Sequence, residues 1–351
     1  MYKSRFRPNR RSLLKGAAAL PFAAGVASLG FSHAARAQSA PLRVGLLRNP
    51  VSGLIEIAGK KGWYKEAGTD IRSELFTGAA GPKVIQAVGG GSLDMSSVSA
   101  TAALLAVANG AVPLKIVSIS TDPAPLFMLL SNPDIESVAA LKGRKVSAPQ
   151  GTGLQYFLGR ALSKHGMTMA DIEYVNLPAN DAQSAFLAGQ VDAVVPSLIG
   201  AFVIQKVKPD TKRLFMHGDF TKGDGPADPF VDYDVFVAPE SVVAERGGDL
   251  RAFLAAYHGK AVPYLTDAAT QEAAITEITE YVNTEQKTPT DADIVRKLML
   301  QSGFYNRAEA KELMTADAFV AGLEDQVKFF VDAGQLKSAR SMAEVVATDL
   351  I

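Results

Sequence analysis

Past Ala40, short β-like runs alternate with segments of helical apolar spacing, and the same order then begins again about a hundred residues further on. Such alternation builds parallel sheets with crossover helices, because two parallel strands need a long connection that a helix supplies. Leu42–Leu47, Ile71–Phe76, Asp94–Val98 and Leu114–Ile119 read as strands, with helices at Ser52–Lys61, Pro82–Val88 and Ala100–Asn109. The second run offers strands at Arg144–Ala148, Ile172–Leu177, Asp192–Pro196 and Arg213–His217, and helices at Leu154–His165, Asp181–Ala188 and Leu198–Lys206. Gly91-Ser92-Leu93-Asp94 returns as Gly189-Gln190-Val191-Asp192, 98 residues on, each closing a helix, turning on glycine and opening a β run. Repeats of this length mean duplicated domains.

After Pro229 one further β run, Tyr233–Ala238, gives way to helical spacing at Asp249–Leu265, Thr270–Val282, Asp291–Leu300, Thr315–Asp332 and Ser341–Leu350. Several of these segments open on Asp, Thr or Ser, as helix starts do. The expected fold is α/β: two doubly wound lobes with a hinge and an interlobe cleft, and a helical C-terminal part. Lobe 1 is expected to take 38–125 and 230–351, and lobe 2 to take 126–229. The chain would cross between them near Ser120–Ser131 and Asp219–Asp232.

Residues 1–37 carry seven Lys/Arg and no acid, which leaves 29 Lys/Arg against 36 Asp/Glu and a net charge of −7 in the remainder. That excess argues against nucleic acid or an anionic membrane surface as partner. The basic stretch through Lys15, the weakly apolar run Gly16–Phe31 and Ala35-Arg36-Ala37 have the order of a secretory signal. Arg10-Arg11 followed by Ser-Leu-Leu-Lys resembles a twin-arginine signal, with an ordinary secretory signal as the alternative. The expected location is the periplasm. The absence of Cys excludes disulfides, thiolate metal sites and cysteine nucleophiles.

In doubly wound sheets a ligand sits beyond the carboxyl ends of the strands, where helix N-termini offer backbone donors. Two turns fit: Ser96-Ser97-Val98-Ser99-Ala100-Thr101 in lobe 1 and Pro149-Gln150-Gly151-Thr152-Gly153-Leu154 in lobe 2. Ser97, Ser99 and Thr152 could serve an anionic head group or simply cap helices. Asp234, with Asp232 as rival, could hold a ligand cation from the start of the last β run. Arg48 and Asn49 end the first strand, where they could meet an acid group or lie on the rim; Trp63 packs the end of the first helix. No G-x-S-x-G, H-E-x-x-H, P-loop or helix-opening G-x-G-x-x-G occurs, and His165, His217 and His258 are isolated in sequence. Neither a catalytic residue, a metal nor a cofactor is expected.

GLIEIAGKKGWYKEAGTDI, GGGSLDMSSVSATAALLAVANG, LKGRKVSAPQGTGLQYFLGRAL and VNLPANDAQSAFLAGQVDA, within Leu42–Phe215, resemble the nitrate/sulfonate/taurine class of periplasmic solute-binding proteins of ABC transporters. The segment VKFFVDAGQLKSARSMAEVVATDLI is most similar to the taurine-binding branch. The resemblance implies a type II-like periplasmic-binding-protein fold and a monomer that takes a small anionic or zwitterionic ligand to an inner-membrane permease. It implies that Thr152, Gly153, Leu154 and Gln155 contact a sulfonate, that Ser97 and Ser99 face them, and that Asp234 receives an ammonium. Ser197 stands where the taurine pattern carries an aromatic wall, which leaves room for a differently shaped ligand. Other aromatic or aliphatic acids, or a ligand-sensing module, are the alternatives. A thiamin-pyrimidine-synthesising enzyme of the same shape is disfavoured, because those proteins rely on a Cys-rich segment.

Overall fold

The duplication is carried down to single hydrogen bonds. The computed structural model describes residues 40–77, 81–108, 110, 112–222, 230, 232–336 and 341–351; the signal expected at 1–37 lies outside them. In the first copy, β1 (Leu42–Leu47) pairs in parallel with β2 (Ile71–Phe76) and β3 (Met95–Ser99). In the second, β6 (Lys145–Ser147) pairs in parallel with β7 (Glu173–Val175) and β8 (Ala193–Val194). Gly91 and Gly189 take the left-handed φ values of 74° and 72° that a helix-ending turn requires. Asp94 accepts from the Arg43 N–H at 2.8 Å, and Asp192 accepts from the Lys145 N–H at 2.9 Å.

Each sheet is completed by antiparallel strands. β4 (Leu114–Thr121) and β10 (Asp234–Pro239) give the first the order β2-β1-β3-β10-β4. β5 (Met128–Ser131) and β9 (Lys212–Met216) give the second the matching order β7-β6-β8-β5-β9. The strand next to the edge, β10 or β5, is in both cases the segment that has just arrived from the other half of the molecule.

β5 differs from the sequence expectation, which places Phe127-Met128-Leu129-Leu130 only within the crossing Ser120–Ser131. It is a central strand buried on both faces, so its run is continuously apolar and lacks the alternation that marks a half-exposed strand. The expected helix at Ser341–Leu350 is also corrected: only Met342–Glu344 forms a 3₁₀ turn. The tail instead covers the outer edge of β4, with the Ile116 N–H donating to Val345 O at 2.8 Å and the Ala347 N–H to Ile116 O at 2.9 Å. An open sheet edge is a standing set of unpaired donors and acceptors, and the tail backbone answers it. The helix expected from Asp249 begins at Glu240 and passes through a π-helical turn at Tyr257–Ala261. A separate helix, Arg307–Thr315, opens on an Asn306–Glu309 capping box before Asp317–Asp332.

Of three buried apolar clusters among the described residues, one spans both halves, with Val98, Leu104 and Ile119 from the first, Phe157 and Phe215 from the second, and Phe319, Leu323 and Phe330 from the C-terminal helix; the other two lie one on each sheet. Rings gather where the chain crosses: Phe157 meets Phe127 at 5.8 Å, Phe220 at 5.6 Å and Phe230 at 5.5 Å between centroids, all edge-on. Among the described residues no helix is long and apolar enough to cross a membrane.

Candidate ligand site

Sheet register brings the first-half candidates together. Ser99 is the last residue of β3 and the helix Ala100–Ala108 follows without a break. Asp234, first in β10, pairs with Ser99 on one side and Thr121 on the other. Alternation along the strands puts Ser97, Ser99 and Asp234 on one face. There Ser97 and Ser120 share a hydrogen bond of 2.9 Å between hydroxyls, and Thr121 Oγ1 donates to Gly303 O at 2.9 Å. The Ser99 hydroxyl is buried without a partner.

Three carboxyl groups converge here. Asp234 is partly buried; the surrounding protein and then the nearby Asp122 push its pKa up to about 7, and no donor or cation meets its carboxyl among the described residues. Burial also raises Asp122, against the pull of the Ala124 N–H, the His217 charge and the Tyr305 hydroxyl. Asp232, 2% exposed, is raised well above the carboxylate range by burial and by Asp234. The single Thr101 hydroxyl proton is shared between Asp232 Oδ1 at 3.3 Å and Gln326 Oε1 at 2.8 Å. Of the two acids weighed from the sequence, Asp232 is engaged, and Asp234 has no donor among the described residues.

Arg48 and Asn49 turn elsewhere. Arg48 Nη1 donates to Gln286 O at 2.5 Å while its Nε is buried without a partner. Asn49 caps the helix Pro50–Lys60 by accepting from the Ser52 N–H at 2.9 Å, and its carbonyl accepts from Gln286 Nε2 at 3.0 Å. The fully buried Gln286 thus ties down the end of β1.

In the second half, Thr152 caps the helix Gly153–Lys164, accepting from the Gln155 N–H at 3.4 Å and donating to Pro149 O at 2.7 Å. Gln155 Oε1 accepts from the Gly151 N–H at 2.8 Å, so the turn uses part of its own donor set. Gly153 lies against Asp232, and Leu154 packs on the central core. Ser197 caps Leu198–Val207 through the Gly200 N–H at 3.1 Å. Trp63 packs edge-on against Tyr264 at 5.4 Å. His258 is a satisfied core residue between Ser118 and Tyr305 O, its pKa pushed down to about 4 chiefly by burial. Among the described residues no group of three His, Cys or acidic side chains could hold a metal.

Asp122 and Gln286 escaped the sequence reading, and Thr101 was named there only as the end of the first donor-rich turn. The signal for Asp122 is an acid directly after a strand and before Pro123, at the point where the chain leaves the first sheet. Gln286 carried none, since its partners lie more than two hundred residues away.

Two half-repeats around matching five-stranded sheets, joined by paired crossings, define the periplasmic-binding-protein fold. The alkanesulfonate-binding protein of Xanthomonas axonopodis pv. citri, solved bound to MOPS, shares it with a TM-score of 0.69 at 20% identity, over 89% of this chain and 99% of that one. A desulfurization enzyme also shares the fold, with a TM-score of 0.59 at 14% identity over 88% and 97% of the two chains. The NMT1/THI5-like family pattern matches residues 49–271, more than half of the sequence, and the chain belongs to that family. A Brucella abortus (strain 2308) protein whose name assigns it a binding role is 29% identical over 249 residues, 70% of this chain and 71% of that one. An Escherichia coli K12 protein named for aliphatic sulfonate binding is 35% identical over 118 residues, 32% and 36% of the two chains.

Proposed function

We propose that this protein is the periplasmic solute-binding component of an ABC importer, closing two lobes over a small organic sulfonate that also carries an amine, with taurine as the leading member of that class. The observation that carries the reading is the Asp234 carboxyl, which no donor or cation meets among the described residues, beside the unpartnered Ser99 hydroxyl, in a fold shared with a sulfonate-binding protein. An unpaired buried carboxylate is costly, and an ammonium relieves that cost. In this reading the turns at Ser97–Ser99 and Thr152–Gln155 hold the acid group, Arg48 and Asn49 frame the end of β1, and Ser197 stands where the pocket widens. Lobe 1 comprises 38–125 and 230–351, lobe 2 comprises 126–229, residues 1–37 direct export by the twin-arginine route, and the monomer delivers its ligand to an inner-membrane permease. Binding rather than catalysis is supported by the names of the sequence relatives.

Titration calorimetry of residues 38–351 against taurine, amine-free alkanesulfonates and aromatic acids tests this. One-to-one binding of taurine is expected, and Asp234→Asn should weaken it by roughly 10–100-fold, as loss of a charged hydrogen bond does, while affecting alkanesulfonates much less. Indifference to every sulfonate would overturn the ligand class. Equal losses for both kinds of sulfonate would overturn the role of Asp234.

A further inference from the structure

We infer that Asp232 is a positioning residue: lodged between the two halves, its carboxyl sets how closely the turn at Thr101 and the turn at Gly153 approach each other when the lobes close. The inference concerns closure and holds for any ligand, so it goes beyond the sulfonate reading.

From the first half, the returning chain caps the helix Ala100–Ala108 from outside. The Ala100 N–H donates to Tyr233 O at 2.7 Å, and the Thr101 hydroxyl lies 3.3 Å from Asp232 Oδ1. The C-terminal helix Asp317–Asp332 braces the same point, because Gln326 Oε1 accepts from Thr101. From the second half, Gly153 opens the helix Gly153–Lys164 so near that a Cβ there would fall 1.6 Å from Asp232 Oδ2 and 2.6 Å from its Cγ. Nothing in the Gly153 backbone asks for glycine, since its φ is not positive. Alanine is the better helix former, so the contact with Asp232 is the reason that no side chain fits.

The two contacts differ in kind. Asp232 is hydrogen-bonded into the first half and only abuts the second. A group held on one side and touching the other lets the halves part without breaking its bonds and arrests them at a fixed separation when they meet. Gly151 touches the same neighbourhood, its would-be Cβ 3.4 Å from Leu105 Cδ1 of the helix Ala100–Ala108. The arrested separation is therefore that of the two turns expected to face the ligand.

Four variants of residues 38–351 test this: Gly153→Ala, Asp232→Ala, the pair together, and Asp232→Asn. In ligand-free melting, Gly153→Ala should lower Tm by about 2–4 °C or more. In the Asp232→Ala background the same change should cost nothing. Asp232→Asn, which keeps the shape and the acceptor, should melt close to the parent. With taurine as titrant, Gly153→Ala should weaken binding at least tenfold and lose ligand-induced compaction in small-angle scattering, and adding Asp232→Ala should recover much of both. If Gly153→Ala fails to fold, the double variant compared with Asp232→Ala alone still reads the coupling. A Gly153→Ala penalty that persists undiminished without the Asp232 carboxyl, or no penalty in either measurement, overturns the inference. A failure of taurine to bind bears on the ligand reading and leaves the melting comparison standing.

Discussion

At the level of single residues, Asp234 is the group whose ionisation decides most. Burial and Asp122 hold its pKa at about 7, far above that of an unfolded aspartate. The folded chain therefore binds its proton more tightly than the unfolded chain does. The stability attached to this proton is complete below pH ~4 and is lost as the pH rises through about 7. Binding of an ammonium ligand runs the opposite way, because it needs the carboxylate. Between pH 6 and 8, taurine affinity is expected to rise while the ligand-free Tm falls, and Asp234→Asn should flatten both slopes; calorimetry and melting at three pH values in that interval read the pair. A parallel slope in the Asn variant would assign the effect to another group. Asp234 could be singled out from its position at a strand start. Its state could not, because Asp122 stands 112 positions earlier and meets it only in the folded chain.

At the level of elements, the duplicated turn offers an internal control. Gly91 and Gly189 both have left-handed backbones, and a Cβ at either would meet nothing within 4 Å. Gly91→Ala and Gly189→Ala should therefore each cost about 1–2 kcal/mol from backbone strain alone. The two costs should be equal within about 0.5 kcal/mol and additive in the double variant, since the sites share no partner. Urea unfolding measures this, and a much larger loss at one site would mean that its turn does more than reverse the chain. These turns were legible because glycine, the preceding helix and the following Asp form a local pattern. β5 and the tail at 341–351 were not. Their conformation answers to strands that arrive from elsewhere: β8 and β9 flank the one, and the open edge of β4 receives the other.

For the molecule as a whole, the rings at the crossings join the halves through one apolar cluster. Phe157 is fully buried and touches Phe127, Phe215, Phe220 and Phe230. Phe157→Ala is expected to cost about 3–5 kcal/mol in chemical denaturation, as large-to-small changes in packed cores do. Because the cluster around Phe157 draws residues from both halves, unfolding should remain a single transition; two separated transitions would show that the halves melt independently. Hydrophobic periodicity, turn glycines and charge balance, all properties of neighbouring residues, determined the α/β class, the duplication and the location of the donor-rich turns. The packed structure alone decided which strand completes each sheet, that Asn49, Thr152 and Ser197 cap helices, and that Asp232 is engaged while Asp234 meets no donor among the described residues. Those outcomes depend on hydrogen bonds and contacts such as Thr101 with Asp232 and with Gln326, 131 and 225 positions apart. Burial and competition for a donor exist only once such distant residues share one interior.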